Sequence, residues 1–384
     1  MIIKIRHIIS ILAVVLAAVA VSSCSQSVDS TLNPVLPVEP EAGQAFMHLH
    51  IALANASSGS RTDYSAVAGA NEMMQELRII IVRPDLTIEH NDFISTPFLN
   101  NPLVAVGSFQ YQVLSGEEKS VYLLANENAC RTAASGEKVP LIDYDFSALE
   151  AGDKFPAAEI AALNITLDAD TATLNGVLPM AECHKIDIPL TDPESPKVVF
   201  PYNLFLTRAA VKFEFHITNE LKDIDFDIQS LAIDKVSSRE YLFPNAAVYN
   251  DVHEITSFEV PNVGGDDYYS FVREYTGITA KGDNIPVDLP VFYLLESKYH
   301  DPTQENDDLN YMVRMRMNDI EYKAYLPNLS QMPRNTHVIV NVFIHNLNDG
   351  DGARSSYSFG SNSDNIFRSD ACIVRCVTTF GNEY

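Results

Sequence analysis

The sequence predicts a mainly β protein with packed antiparallel sheets, few and short helices, and two domains. Strand-like runs of about 5–8 residues recur along the chain, turn residues separate them, and helical periodicity is scarce. Of the 384 residues, 46 % are hydrophobic, so the chain can bury a sizeable core. At roughly 150 residues per domain, this length fits two domains.

The first segment, residues 1–23, has the pattern of an export signal. Two basic residues, Lys4 and Arg6, precede an apolar run over 8–21, and two serines then lead to Cys24. The apolar run is too short to span a bilayer comfortably, and a cysteine after small residues indicates a bacterial lipoprotein. We therefore expect cleavage before Cys24 and acylation of its thiol, with palmitate among the acyl chains. An ordinary signal peptide with an unmodified cysteine is the alternative.

The next segment, 24–44, is predicted to be an extended tether, because three prolines and several small polar residues lie in it. The first strand signal follows at 46–53. Apolar residues alternate there with histidine or alanine, a period of two that is typical of a half-buried strand. The apolar members are Met47, Leu49, Ile51 and Leu53. A loop of small polar residues comes next and contains Arg61, and proteases cut such loops.

Later strand signals divide into two sets near a Pro-rich stretch at 191–196. We therefore predict an N-terminal β-sandwich domain over 45–203 and a C-terminal one over 204–345. The tail, 346–384, is polar until it reaches a last apolar patch, 371–380. This patch is a candidate donor strand with four residues on one face: Cys372, Val374, Cys376 and Phe380.

Charge and motif content exclude several classes of function. The formal net charge of −25 repels phosphate backbones, so we expect no nucleic-acid partner. No nucleotide-binding, nucleophile or metalloprotease motif occurs, so we predict neither an enzyme nor a cofactor. His48 with His50, and Asp223 with Asp225 and Asp227, alternate along predicted strands. A solvated strand face explains them better than a metal site or an acid–base pair.

Four cysteines remain beyond the signal: Cys130, Cys183, Cys372 and Cys376. In an oxidising compartment they allow three pairings, and the sequence does not choose among them. If 372–376 is extended, its two cysteines lie about 13 Å apart, which is too far for a mutual disulfide.

Short motifs in a particular order cover most of the mature chain. They are Arg61-Thr62-Asp63-Tyr64, 77–82, 112–122, Ala125-Asn126, Leu178-Pro179-Met180, 206–212, 290–296, Leu326-Pro327 and 334–337. Together with the lipoprotein signal, this series resembles the fimbrillin family. Members of that family are the major and short fimbrial subunits of type V pili in Bacteroides-type bacteria.

The resemblance implies two transthyretin-like, Ig-like Greek-key β-sandwich domains in a surface lipoprotein of the outer membrane. It also implies that an Arg-specific protease cuts after Arg61 and that the strand within 46–61 is then removed. A C-terminal strand of another fimbrial subunit would fill the vacated groove. The implied partners are other fimbrial subunits, the protease, the outer membrane through the lipid, and a host or bacterial surface receptor.

The tail departs from the family pattern because Cys372 and Cys376 are unusual in a plain donor strand. A tip, accessory or anchor role therefore stays open beside the shaft role. A surface lipoprotein that binds glycan or host protein without polymerising is the alternative function. An exposed aromatic platform, made by Tyr268, Tyr269 and Phe271, would distinguish it.

Overall fold

Strands dominate the structure, a computed structural model, which confirms the mainly β prediction. It describes residues 43–54, 70–95, 106–133, 135–167, 174–194, 198–251, 253–261, 268–300, 311–326 and 329–344, and the backbone of 367–368 and 372–379. One short α-helix, α1 (Ala157–Ala161), and two single-turn 3-10 helices, Ala70–Glu72 and Phe146–Ala148, lie in this part of the chain. Within it, no helix is both long and apolar enough to cross a bilayer.

Ten of the described strands precede residue 209. They are β1 Gln44–Leu53, β2 Leu77–Val82, β3 Ile88–Ile94, β4 Val106–Leu114, β5 Glu117–Ala125, β6 Cys130–Thr132, β7 Lys138–Pro140, β8 Asn164–Thr166, β9 Met180–Ile188 and β10 Val199–Arg208.

Fourteen described strands follow. They are β11 Val211–Asn219, β12 Phe226–Ser237, β13 Arg239–Tyr241, β14 Asn245–Tyr249, β15 Ile255–Glu259, β16 Tyr268–Glu274, β17 Thr279–Ala280, β18 Val287–Asp288, β19 Phe292–Leu294, β20 Met312–Met317, β21 Ile320–Tyr325, β22 Thr336–Ile344, β23 Phe367–Arg368 and β24 Cys372–Thr379.

The first half of the chain forms a β-sandwich from one path of strands, in the order β3-β2-β5-β9-β10-β1-β4. β9 and β10 pair at only two positions, Thr207 with Ala181 and Arg208 with Met180. The path therefore divides into a four-stranded face (β3, β2, β5, β9) and a three-stranded face (β10, β1, β4). Apolar side chains of both faces meet in a single core cluster.

The described part of the second half contains two further large sheets and the two-stranded sheet β14–β15. One has the order β18-β11-β22-β24-β23, with β19 also pairing β11, and the other has the order β16-β12-β20-β21, with β17 also pairing β12. In their core, the ring of Phe292 lies 5.4 Å from that of Phe213 and 4.4 Å from that of Phe271. Each half has a strand between one parallel and one antiparallel neighbour. β1 lies between β10 and β4, and β22 lies between β11 and β24.

A third apolar cluster joins the two halves. Ile80 and Val82 of β2 contribute to it from one half, and Leu242 and Leu295 contribute from the other. β8 also pairs with β13, so the backbone of the second half hydrogen-bonds to the first. These contacts cover the outer side of the four-stranded face.

The change from one sheet to the next comes at 209–210, between β10 and β11. The predicted division after residue 203 therefore falls inside β10, because Leu204 to Leu206 still pair with β1. β10 runs without a break through Pro201. A proline fits because this part of β10 pairs on one side only. The two-domain division itself stays a prediction.

Candidate functional site

The segment predicted to be removable lies in β1 at the centre of the first core. Met47, Leu49 and Ile51 have no exposed surface, and Leu53 is 2 % exposed. Intervening residues are half-buried, as the alternation of side chains in a strand requires. Including Ala45, β1 supplies five of the nineteen buried residues in this core cluster.

β1 is the middle strand of the three-stranded face. It pairs in parallel with β10, over 46–53 against 199–206, and antiparallel with β4, over 44–52 against 106–114. Within the described residues these stretches of β10 and β4 pair with no other strand. We call β10 and β4 the wall strands of β1, since both lose their ladder partner if β1 departs.

The start of β1 is held by a close backbone approach at Gly43. Its N–H donates to the Thr191 carbonyl at 3.0 Å, and its carbonyl accepts from the Ser115 N–H and Oγ at 2.9 and 2.8 Å. A Cβ at position 43 would lie only 2.6 Å from the Thr191 oxygen. Glycine is therefore needed here for space.

β1 ends at Leu53, and the N–H of the next residue, Ala54, donates to the Leu206 carbonyl at 2.7 Å. Arg61, the predicted cleavage residue, lies outside the described residues, as do Cys24 and the signal. Cleavage after Arg61, acylation of Cys24 and removal of the strand thus stay predictions.

Side chains bridge the two seams where the wall strands meet the four-stranded face. At the β9–β10 seam, His184 Nε2 lies 2.8 Å from the Phe205 carbonyl oxygen, and the Tyr202 hydroxyl donates to the Asp187 carbonyl at 2.8 Å. At the β3–β4 seam, His90 Nε2 lies 2.7 Å from the Gln112 carbonyl oxygen. Apart from the two β9–β10 pairs at Thr207 and Arg208, the described strands adjoin at these seams without a backbone ladder.

The predicted donor strand is partly described. Cys372, Val374 and Cys376 lie on β24, which pairs antiparallel with β22 over 337–344, and Phe380 lies outside the described residues. Extended backbone over 372–379 agrees with the conformation assumed for these two cysteines. A donor role would require β24 to leave β22, and it stays a prediction.

A buried ionic network lies where the two halves meet, and sequence reasoning assigned it no role. Arg334 Nη2 donates to Glu296 Oε1 at 2.9 Å and lies 3.5 Å from Glu240 Oε1. Its Nη1 donates to the Leu242 carbonyl at 2.9 Å. All three ionic side chains are at most 1 % exposed. Burial alone lowers the pKa of Arg334, but the two carboxylates raise it, so the guanidinium stays charged.

Glu182 of β9 extends this network. Its Oε1 accepts from Thr207 Oγ1 at 2.5 Å and from the Tyr249 hydroxyl at 2.7 Å. Burial raises the pKa of Glu182 to about 7, although both hydrogen bonds and Arg334 oppose the shift. Burial likewise raises the pKa of Glu240. These carboxyls therefore retain protons at a pH where exposed ones are ionised.

A second ionic cluster lies beside the first. The Glu72 carboxylate accepts from the Tyr293 hydroxyl at 2.5 Å and pairs with Lys212 Nζ at 2.9 Å. Arg208 Nε donates to the Glu72 carbonyl at 3.0 Å. Arg208, Lys212, Tyr293, Glu296 and Arg334 all belong to the fimbrillin-like motifs.

Other candidate residues take structural positions. Cys130 and Cys183 are both free thiols. The rings of His48 and His50 lie with their centroids 4.5 Å apart and their planes tilted by 38°, and no metal-binding group of His, Cys, Asp or Glu occurs among the described residues. Phe271 is buried in the second core, so it does not form an exposed platform with its two neighbouring tyrosines.

No family model and no curated protein matches the chain. Among solved structures, it resembles the tip fimbrial protein Mfa3 of Porphyromonas gingivalis with C-terminal truncation, at 12 % identity and a TM-score of 0.49, over 87 % of this chain and 99 % of that one. It also resembles a candidate cell adhesion protein of Bacteroides eggerthii, at 11 % identity and a TM-score of 0.48, over 88 % and 96 % of the chains. A fimbrial assembly protein of Parabacteroides distasonis matches at 11 % identity and a TM-score of 0.42, over 79 % and 92 %. With scores below 0.5, these likenesses decide nothing about function.

Proposed function

We propose that this chain is a structural subunit of a cell-surface fimbria that supports adhesion. In this proposal it is exported as a lipoprotein through Cys24, and it joins other subunits by strand exchange once β1 has been cut free. The observation that carries the proposal is the position of β1. The strand is a single ten-residue segment, follows the predicted tether directly, and is central to the three-stranded face.

The burial of β1 explains how one strand could serve as a replaceable part of a core. Its four large apolar side chains, of Met47, Leu49, Ile51 and Leu53, are almost fully buried. At about 1.5–3 kcal/mol each, they contribute roughly 6–12 kcal/mol of hydrophobic stabilisation. Any occupant with the same alternation and length would regain this energy together with two backbone ladders, so the resulting joint would dissociate very slowly.

The proposed trigger is a cut after Arg61, eight residues beyond the end of β1. Before the cut, β1 is tethered to its own domain and outcompetes other strands through its high effective concentration. After the cut, β1 is held by non-covalent contacts alone, so a strand of another subunit can replace it. The segment 371–380 of a second copy is the proposed occupant in a shaft. In a tip or anchor subunit, a different partner would supply the strand.

The proposal is tested by exposing the purified full chain to an Arg-specific protease. We expect a folded product whose N-terminal residue is Thr62 and which forms ladders stable to mild SDS. Arg61→Ala is the matched control, because the same protease then finds every other arginine but not this one. A wild-type chain that stays uncut, or that is cut and remains monomeric, would contradict polymerisation by strand exchange.

A further inference from the structure

We propose that His90 and His184 hold the two wall strands in place after β1 departs, so that the groove stays open for its next occupant. This inference rests on the proposed strand exchange and adds two positioning residues to it. Each histidine projects from the four-stranded face and hydrogen-bonds to the backbone of one wall strand.

The need for such contacts follows from the pairing. In the part of the chain that the structure describes, residues 199–206 of β10 pair with β1 alone, and β10 reaches β9 only at Thr207 and Arg208. Among the described strands, residues 106–114 of β4 also pair with β1 alone. Once β1 has left, both segments would gain considerable conformational freedom, and a disordered wall offers no ladder to an incoming strand.

At the β9–β10 seam, the contact is made to a carbonyl that β1 does not use. The carbonyls of Val198 and Leu206 accept hydrogen bonds from the N–H groups of Phe46 in β1 and of Ala54 directly after it. Backbone groups alternate sides along a strand, so the carbonyl of Phe205 faces away from β1 and toward His184. A carbonyl oxygen can only accept, so His184 Nε2 carries the proton of this 2.8 Å bond. The bond can therefore persist whether or not β1 is present.

The ring of Phe205 is also held by aromatic neighbours. It lies 4.8 Å from the His184 ring, 5.0 Å from that of Tyr249 and 4.2 Å from that of His253, onto which it stacks. Tyr249 lies on β14 in the second half of the chain. The second half thus supports β10 from outside the groove.

The β3–β4 seam has the same design. His90 Nε2 lies 2.7 Å from the Gln112 carbonyl, and Glu89 Oε1 accepts from the Leu114 N–H at 2.6 Å. The Ser115 N–H points to β1, where it donates to Gly43. By alternation, the backbone groups of Leu114 and Gln112 point away from β1. The ring of His90 also lies 5.0 Å from that of Tyr111.

The test compares exchange in the cut protein. Full-length protein is cut with an Arg-specific protease and incubated with a fluorescent synthetic peptide that spans 43–54, GQAFMHLHIALA. Bound peptide is followed over time for the wild type and for the double variant His90→Leu/His184→Leu. We expect the rate of peptide uptake to fall about tenfold or more in the variant, since the loss of one of these hydrogen bonds alone should lower the rate several-fold.

Two controls separate positioning from general stability. His90→Gln/His184→Gln keeps an N–H donor at both seams and should exchange within about threefold of the wild type. His216→Leu removes a half-buried histidine that pairs with Asp288 on β18, remote from β1, and should leave uptake unchanged. The uncut double Leu variant should melt within a few degrees of the uncut wild type, since β1 then still holds both walls.

The outcomes distinguish this inference from the proposed function. If the wild type takes up the peptide and the Leu variant does so equally fast, the histidine contacts are irrelevant and only this inference fails. If the wild type is cut but takes up no peptide, strand exchange fails and the inference fails with it. Should the double variant not fold, His184→Leu alone provides the same comparison, with a several-fold loss expected.

Discussion

Glu182 offers a sharp test of the buried network, because one substitution reproduces its protonated form. Glu182→Gln keeps the size of the side chain and an oxygen for Thr207 and Tyr249, but it removes the charge. In the unfolded chain this carboxyl titrates near its ordinary value of 4.5, and in the folded protein near 7. Between these values the folded state binds the extra proton, so the free energy of unfolding falls as the pH rises.

The size of the effect follows from the two pKa values. For one group with pKa values of about 4.5 and 7, the linkage relation gives a loss of about 2 kcal/mol between pH 5.5 and pH 8. The glutamine variant lacks this group. The difference in stability between variant and wild type should therefore shift in favour of the variant by about 2 kcal/mol over the same range.

Urea unfolding of both proteins at several pH values measures this difference in stability directly. Unfolding is followed by far-UV circular dichroism, which requires no tryptophan signal. The contributions of the other titrating groups to this stability difference cancel, because both proteins contain those groups. A stability difference that stays constant from pH 5.5 to pH 8 would refute the assignment of a buried, protonated Glu182. If the stability difference instead shifted in favour of the wild type as the pH rises, the direction of the Glu182 pKa shift would be refuted.

Three further predictions concern folding stability. Leu49→Ala should lower the free energy of unfolding by about 2–5 kcal/mol, as truncation of other buried leucines does. The control His50→Ala, on the other face of β1, should change it by less than about 1 kcal/mol. Urea unfolding measures both changes. Gly43→Ala should lower the melting temperature, because the new Cβ would meet the Thr191 oxygen, and an unchanged value would contradict the close approach. Arg334→Met should cost about 3–5 kcal/mol in urea unfolding, since it leaves buried carboxylates without their cation, and a neutral effect would show that the network is dispensable.

Local patterns in the sequence predict the strands but not their neighbours. The alternation over 46–53 predicts a half-buried strand because side-chain direction in a strand depends on position alone. That β1 lies parallel to β10 and antiparallel to β4 depends on residues about 150 and 60 positions away, respectively, for which no local signal exists. The two seams, and with them His90 and His184, follow only from that arrangement.

The buried network was hidden from sequence analysis for a similar reason. A glutamate that alternates with apolar residues is ordinarily assigned to the solvent side of a strand. Glu182 is buried because Thr207 and Tyr249, the latter from the second half of the chain, cover its carboxyl group, and Glu240 is buried beside Glu296 and Arg334. Arg334, the compensating charge, lies more than 90 residues further along the chain, so its pairing could not be anticipated from spacing.

Identification of the first residue of the protein in fibrils recovered from the cell surface tests the central claim most directly. N-terminal sequencing or mass spectrometry of the assembled subunit should give Thr62, which means that β1 has been cut from every chain in the polymer. Assembled subunits that begin at a lipidated Cys24 and still contain β1 would contradict assembly by replacement of this strand.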